Sequence, residues 1–143
     1  MTELPPDYKP LRLKSPFANH VGEFYQRLSP AGRSLAIQVG SHHCNSQGVA
    51  HGGFLLALAD LALSYGSYEP GDAPPRITIG MSADFAGVAR LGEWLEAHVD
   101  VQKAGRRVIF ANCFICVGEK RIVRASGTFT PERIDQATTP GAE

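Results

Sequence analysis

Asp60 is the single charged side chain in the run Gly52 to Tyr65, where Phe54, Leu58, Leu61 and Tyr65 recur at helical spacing. Three and four residues away on that helix stand Leu56, Ala57, Leu63 and Ser64. Only the serine could pair with the carboxylate along the helix itself. Burying an isolated charge costs several kcal/mol unless something offsets it. Asp60 therefore either caps a group across the core, touches solvent at an edge, or serves as a base. Upstream, His51-Gly52-Gly53 opens the same helix. Glycines there leave backbone N–H groups bare at the positive end of the helix dipole, and they let a ligand approach the main chain. On its own this triplet is a turn signal. With a carboxylate downstream it gains weight as a donor for a developing oxyanion beside a base.

The helix rise of about 1.5 Å per residue sets Gly52 and Asp60 about 12 Å apart in one chain. A base and an oxyanion donor must both come within about 3 Å of the reacting atoms. If both act, the site takes one from each of two subunits whose helices run antiparallel side by side. The spacing thus predicts a C2 dimer.

The elements that must position these residues follow from periodicity. Glu23–Leu28 and Ser34–Val39 flank Ser29-Pro30-Ala31-Gly32, which carries a turn's proline and glycine, so they form a hairpin. A loop over Gly40–Ala50 leads into the helix from Gly52 to Tyr65. That helix has no polar face, so it should be wrapped on nearly all sides. After the proline-rich break at Gly66–Pro75 the period becomes two. Ile77, Ile79, Met81, Ala83 and Phe85 alternate with Thr78, Gly80, Ser82 and Asp84, and Leu95, Ala97, Val99 and Val101 alternate with Glu96, His98 and Asp100. Two more strands, Arg107–Val117 and Arg121–Thr130, follow across short turns. The expected architecture is α+β, with four strands meandering after one helix in an antiparallel sheet curled round it. Residues 1–16 and 131–143 read as tails and 17–130 as one domain.

Lysine plus arginine number 14 and aspartate plus glutamate number 14, a net charge of +0 that offers no field to gather nucleic acid. The start, Met1-Thr2-Glu3-Leu4-Pro5-Pro6, lacks the pattern of a signal peptide, and no apolar run of about 20 residues could span a bilayer, so a cytoplasmic protein without a membrane partner is expected. Cys44, Cys113 and Cys116 read as core residues. Cys113 and Cys116 form a CxxC within one strand, where residues three apart face opposite ways. His42-His43-Cys44 has no second pair at zinc spacing. No metal is expected. Phosphate-binding glycine loops and a G-x-S-x-G elbow are absent from the sequence.

The stretch His43-Cys44-Asn45-Ser46-Gln47-Gly48-Val49-Ala50-His51-Gly52-Gly53, with Leu58-Ala59-Asp60, resembles the signature of PaaI-like hot-dog thioesterases. The likeness continues through Thr78 and Arg90-Leu91-Gly92-Glu93 to Gly127. It implies a hot-dog fold, hydrolysis of acyl-CoA thioesters without metal or redox cofactor, and assembly as a dimer or a dimer of dimers, the homotetramer being common. By likeness Gly52, with Gly53 beside it, would polarise the thioester carbonyl, and Asp60 of the partner would be general base or nucleophile. Asn45 would orient the water or thioester, Thr78 would hold the water, and His51 would shape the turn and bond the loop backbone. Read without the family, Asn45 is a loop-closing amide and Thr78 an ordinary strand residue.

A CoA thioester brings phosphates, for which Lys103-Ala104-Gly105-Arg106-Arg107 is the strongest local cluster, although a solvated hairpin tip reads equally well. Phe54, Tyr65, Phe85 and Trp94 are candidates to line the acyl pocket. Two rival functions share the substrate. A non-catalytic acyl-CoA-binding protein could dispense with the base, and Asp60 together with Asn45 argues against it. An enoyl-CoA hydratase would want a histidine beside Asp60, where none falls.

Overall fold

The computed structural model describes residues 3–67 and 77–130. Seven strands form one antiparallel sheet against one long helix, in the order β1-β2-β3-β5-β6-β7-β4. The strands are β1 (Lys9–Leu11), β2 (Phe24–Ser29), β3 (Gly32–Gln38), β4 (Ile77–Phe85), β5 (Trp94–Ala104), β6 (Ile109–Val117) and β7 (Lys120–Thr130); the helices are α1 (Pro16–Val21) and α2 (Gly52–Gly66). The β2–β3 hairpin and the period-two strands form where the alternation and turn residues place them. Residues 131–143 and most of the Gly66–Pro75 break lie outside the described residues.

The N-terminal segment departs from the expected tail. β1 pairs with β2 at Lys9↔Gln26 and Leu11↔Phe24, and Tyr8 just before it is buried against Trp94, ring centroids 5.4 Å apart edge to face. Ser15 Oγ accepts the Ala18 N–H to start α1. A three-residue strand is too short to show a period, so only its aromatic anchor betrays it.

The order of the last four strands also differs. They do not meander in sequence: β4 lies at the far edge beside β7, and β5 pairs with β3. Alternation fixes which face a side chain takes, not which strand is its neighbour. The connection from β4 to β5 runs back past the end of the sheet, pinned by Ala86 N–H to Ile122 O (2.8 Å) and by Gly92 N–H to Val39 O (2.8 Å).

Leu55, Leu58, Ala59, Ala62 and Leu63 of α2 are buried on the sheet, packing with Leu35, Ile37, Leu95, Ile115 and Phe129. Their spacing is that of one helix face. The other face is not wrapped: Phe54, Leu56, Ala57, Asp60, Leu61 and Ser64 all keep intermediate exposure. One chain thus covers half of a helix that is apolar all round. β5 and β6 pair Val99↔Cys113 and Glu96↔Cys116, so the two thiols take opposite faces of the sheet, and burial pushes Cys113 up to about 12.

Candidate active site

Two groups of candidate residues stand apart in the chain. The first sits at the start of α2. Between Cys44 and Ala50, which bridge, the loop turns tightly: Asn45 N–H donates to Val49 O (2.8 Å) and Gly48 N–H to Asn45 O (3.1 Å), with Gly48 at φ 76°. That positive φ is the left-handed region that glycine enters without strain. Asn45 Oδ1 accepts from the N–H of Gln47 (2.9 Å) and of Val49 (3.4 Å). The amide therefore does close the loop, and the closure fixes its Nδ2 as an exposed donor. An aspartate would close the same turn but offer a charge instead of a donor.

His51 is the N-cap of α2, and its Nδ1 accepts the Gly53 N–H at 2.9 Å. Gly53 is thus spent on the cap, whereas the Gly52 N–H has no hydrogen-bond partner among the described residues. Phe85 stands over this position, its ring 3.8 Å from where a Gly52 Cβ would be. Of the two glycines, Gly52 is the one whose N–H stays bare among the described residues.

His43 buttresses this group, a role the sequence reading did not give it. Its carbonyl accepts the His51 N–H (2.8 Å), and its ring stacks on Phe54 with centroids 4.0 Å apart and planes at 12°. Nδ1 accepts from Gly40 N–H at 2.8 Å and Nε2–H donates to Val21 O at 2.6 Å, so the neutral tautomer is built in. Burial is the main cause that lowers its pKa from the ordinary 6.5. The unfolded chain then binds the extra proton, so this stability is present above pH 6.5 and is lost as pH falls below it towards the folded pKa. Thermal unfolding between pH 7 and pH 5 should show that loss, and His43→Gln should lower Tm throughout while flattening the slope. An equal slope in the variant would remove His43 as the cause.

The second group is Asp60 with Thr78, whose Oγ1 donates to Asp60 Oδ1 at 2.6 Å. Strict alternation puts Thr78 on the face away from α2. A bulge at Ile79 reverses that: Thr78 pairs with Phe129 and Gly80 with Thr128, so Thr78 joins Met81 and Ala83 on the helix face. Such bulges re-aim a side chain. Ser64, the only partner the helix itself could offer, does not bond Asp60 among the described residues. By helix rise this pair lies about 12 Å from Gly52. The two groups therefore do not meet within one chain.

The other candidates fall elsewhere. Arg106 and Arg107 are exposed on the β5–β6 turn, off the Thr78 end of the sheet, since Ile109 and Thr78 share the Phe129 rung. Trp94 pairs with Gln38 on the face away from α2, against Tyr8 and Tyr25, so it lines no pocket at the helix. Tyr65 is tied at the other end of α2, its hydroxyl donating to Gln26 Oε1 at 2.8 Å. Phe54 and Phe85 remain beside Gly52. Among the described residues no helix is long and apolar enough to cross a membrane.

Comparison with known proteins places the chain in a family. The thioesterase superfamily profile matches residues 47–123, from the Asn45 loop through β7's first rungs. A Pseudomonas aeruginosa protein with a provisional esterase assignment is 41% identical over 132 residues, covering 90% of this chain and 98% of that one. An asparagine-to-aspartate variant of the phenylacetic acid degradation protein PaaI from Thermus thermophilus superposes with a TM-score of 0.71 at 27% identity, covering 84% of this chain and all of that one. Zebrafish thioesterase superfamily member 2 shares the fold, with a TM-score of 0.73 at 22% identity over 83% of this chain and 89% of that one. The chain belongs to the thioesterase superfamily, a thioester hydrolase on a hot-dog fold of the PaaI type.

Proposed function

We propose that the chain hydrolyses acyl- or aryl-CoA thioesters to the free acid and CoA, in a site built from Gly52 of one subunit and Asp60 of another. The observation that carries this reading is the Asp60–Thr78 pair at 2.6 Å on the uncovered side of α2, one helix away from a bare Gly52 N–H. Two features support the second subunit. Half of α2 is uncovered, and β4 is an edge strand nine residues long with Ile79 and Phe85 exposed, an open template for pairing. Antiparallel pairing of β4 with its copy brings the end of one strand to the start of the other. That carries Phe85 and Gly52 of one subunit towards Thr78 and Asp60 of its partner. The same contact covers the apolar side of both helices, and two such dimers can associate further.

The Thr78 proton is committed to Asp60 Oδ1, so Oδ2 is free to take a proton from water, and the threonine oxygen can accept a hydrogen bond from that water. Attack on the carbonyl forms the acyl–oxygen bond and sends the carbonyl electrons to an oxyanion facing the Gly52 N–H, with Asn45 Nδ2 as a further donor. Collapse breaks the acyl–sulfur bond. The thiolate leaves readily, because thiols ionise near pH 8.5, and Asp60 returns the proton. A direct attack by Asp60 through an acyl-aspartate uses the same groups. No metal or redox group enters either route, and CoA enters as part of the substrate.

Thiol release from phenylacetyl-, benzoyl-, hexanoyl- and palmitoyl-CoA tests the reading and names the acyl class. Tight CoA binding without turnover of any ester would replace it with a non-catalytic acyl-CoA-binding role. Thr78→Val should lower kcat roughly tenfold, the size of a lost charge-assisted hydrogen bond, and Thr78→Ser should restore most of it. If valine left kcat intact, the 2.6 Å bond would be structural only.

A further inference from the structure

The connection from β4 to β5 carries a cation that nothing among the described residues neutralises. Arg90 is exposed, and its guanidinium makes no ion pair or hydrogen bond among the described residues. Its backbone, by contrast, is held firmly. Val49 and Arg90 form an isolated bridge, Ala50 N–H donates to Ala89 O at 2.7 Å, and Arg90 N–H donates to Glu93 Oε2 at 2.7 Å. Arg90 is thereby fixed to the loop that presents Asn45 and Gly52. A second cation approaches the same connection: the Cε of Lys120 lies 3.3 Å from where a Gly87 Cβ would be, and Lys120 is likewise unpaired among the described residues. Between and around these charges Phe85, Val88 and Leu91 are exposed, a rim of apolar side chains leading away from Gly52.

We infer that Arg90 anchors the phosphate end of the thioester substrate, with the apolar rim packing along the arm between phosphate and thioester; this rests on the proposed site. Three residues of extended chain from Val49 to Gly52 span about 10 Å at most, and bridged strands lie about 5 Å apart. Those spans place the guanidinium within reach of an anion carried on a pantetheine-length arm from a carbonyl held at Gly52. A planar, permanently charged fork suits phosphate, and an exposed apolar rim suits the arm. Arg106 and Arg107, the cluster the sequence favours, stand on a turn that has no such link to the Asn45 loop among the described residues.

The test compares each acyl-CoA with the N-acetylcysteamine thioester of the same acid, which has the thioester but no phosphate, and measures CoA binding by calorimetry. Arg90→Ala should weaken CoA binding about tenfold and lower kcat/KM for the CoA ester, through KM, about tenfold relative to the truncated ester. Arg90→Lys should recover part of the loss. Rising salt should raise KM for the CoA ester more in the wild type than in Arg90→Ala. The inference is overturned if both esters suffer alike, if Arg106→Ala/Arg107→Ala produces the selective loss in place of Arg90→Ala, or if the wild type binds CoA no better than pantetheine. Failure of the hydrolytic reading shows differently, as CoA binding that depends on Arg90 with no thiol released from either ester.

Discussion

Asp60→Asn is expected to lower kcat for the preferred thioester by about 10³, within the range of roughly 10² to 10⁴ attributed to general-base catalysis. Asparagine keeps the size of the side chain, and its Oδ1 can still accept the Thr78 hydroxyl proton, so the 2.6 Å contact and the packing around it survive. What disappears is the second carboxylate oxygen, which takes the proton from water or attacks the carbonyl itself. The loss should fall on kcat, with CoA binding by calorimetry and Tm close to wild type, because Asp60 lies on the half-covered side of α2. An unchanged kcat would remove Asp60 from the chemistry. A collapse of Tm would instead make the carboxylate a structural cap.

How much of this site was legible beforehand differs from residue to residue. The helix and its lone carboxylate are written in the apolar periodicity, and helix rise alone says that Gly52 and Asp60, if both act on one carbonyl, do so from two subunits. Thr78 is different. Alternation places it opposite the helix, and only the bulge at Ile79 turns it inward. The isolated glycine at 80 is the trace such a bulge leaves in sequence, because glycine inside a strand often marks one. Strand order was hidden for another reason: the partner of β4 is fixed by the path of the connection over residues 86–93, whose hydrogen bonds to Ile122 and Val39 join residues far apart in sequence. The same long-range pinning sets Arg90 beside Val49. Neither residue's neighbours in sequence announce the other, whereas the basic run at 103–107 announces itself and stands off the Thr78 end of the sheet.

Gly52→Pro should lower kcat by roughly 10² to 10³, the loss typical of deleting one oxyanion donor, and combining it with Asp60→Asn tests where the site lies. The substitution removes one N–H and little else. Gly52 is the first residue of α2, a position where proline is favoured, and His51 before it has φ −63° and ψ 140°, which proline permits. The nearest side-chain atoms to a Cβ there are 3.8 and 3.9 Å away, ordinary contact. A heterodimer of one Gly52→Pro chain and one Asp60→Asn chain, co-expressed with two tags and purified through both, holds one site with both defects and one with neither. If Gly52 and Asp60 act across the interface, that dimer should regain about half the wild-type kcat although each parent is nearly inert. If one chain supplied both groups, every site would keep one defect and mixing would restore nothing. The two arrangements thus differ by about two orders of magnitude in a single thiol-release assay, which decides whether the 12 Å between the half-sites of one chain, set by a rise of about 1.5 Å per residue, is bridged by a second chain.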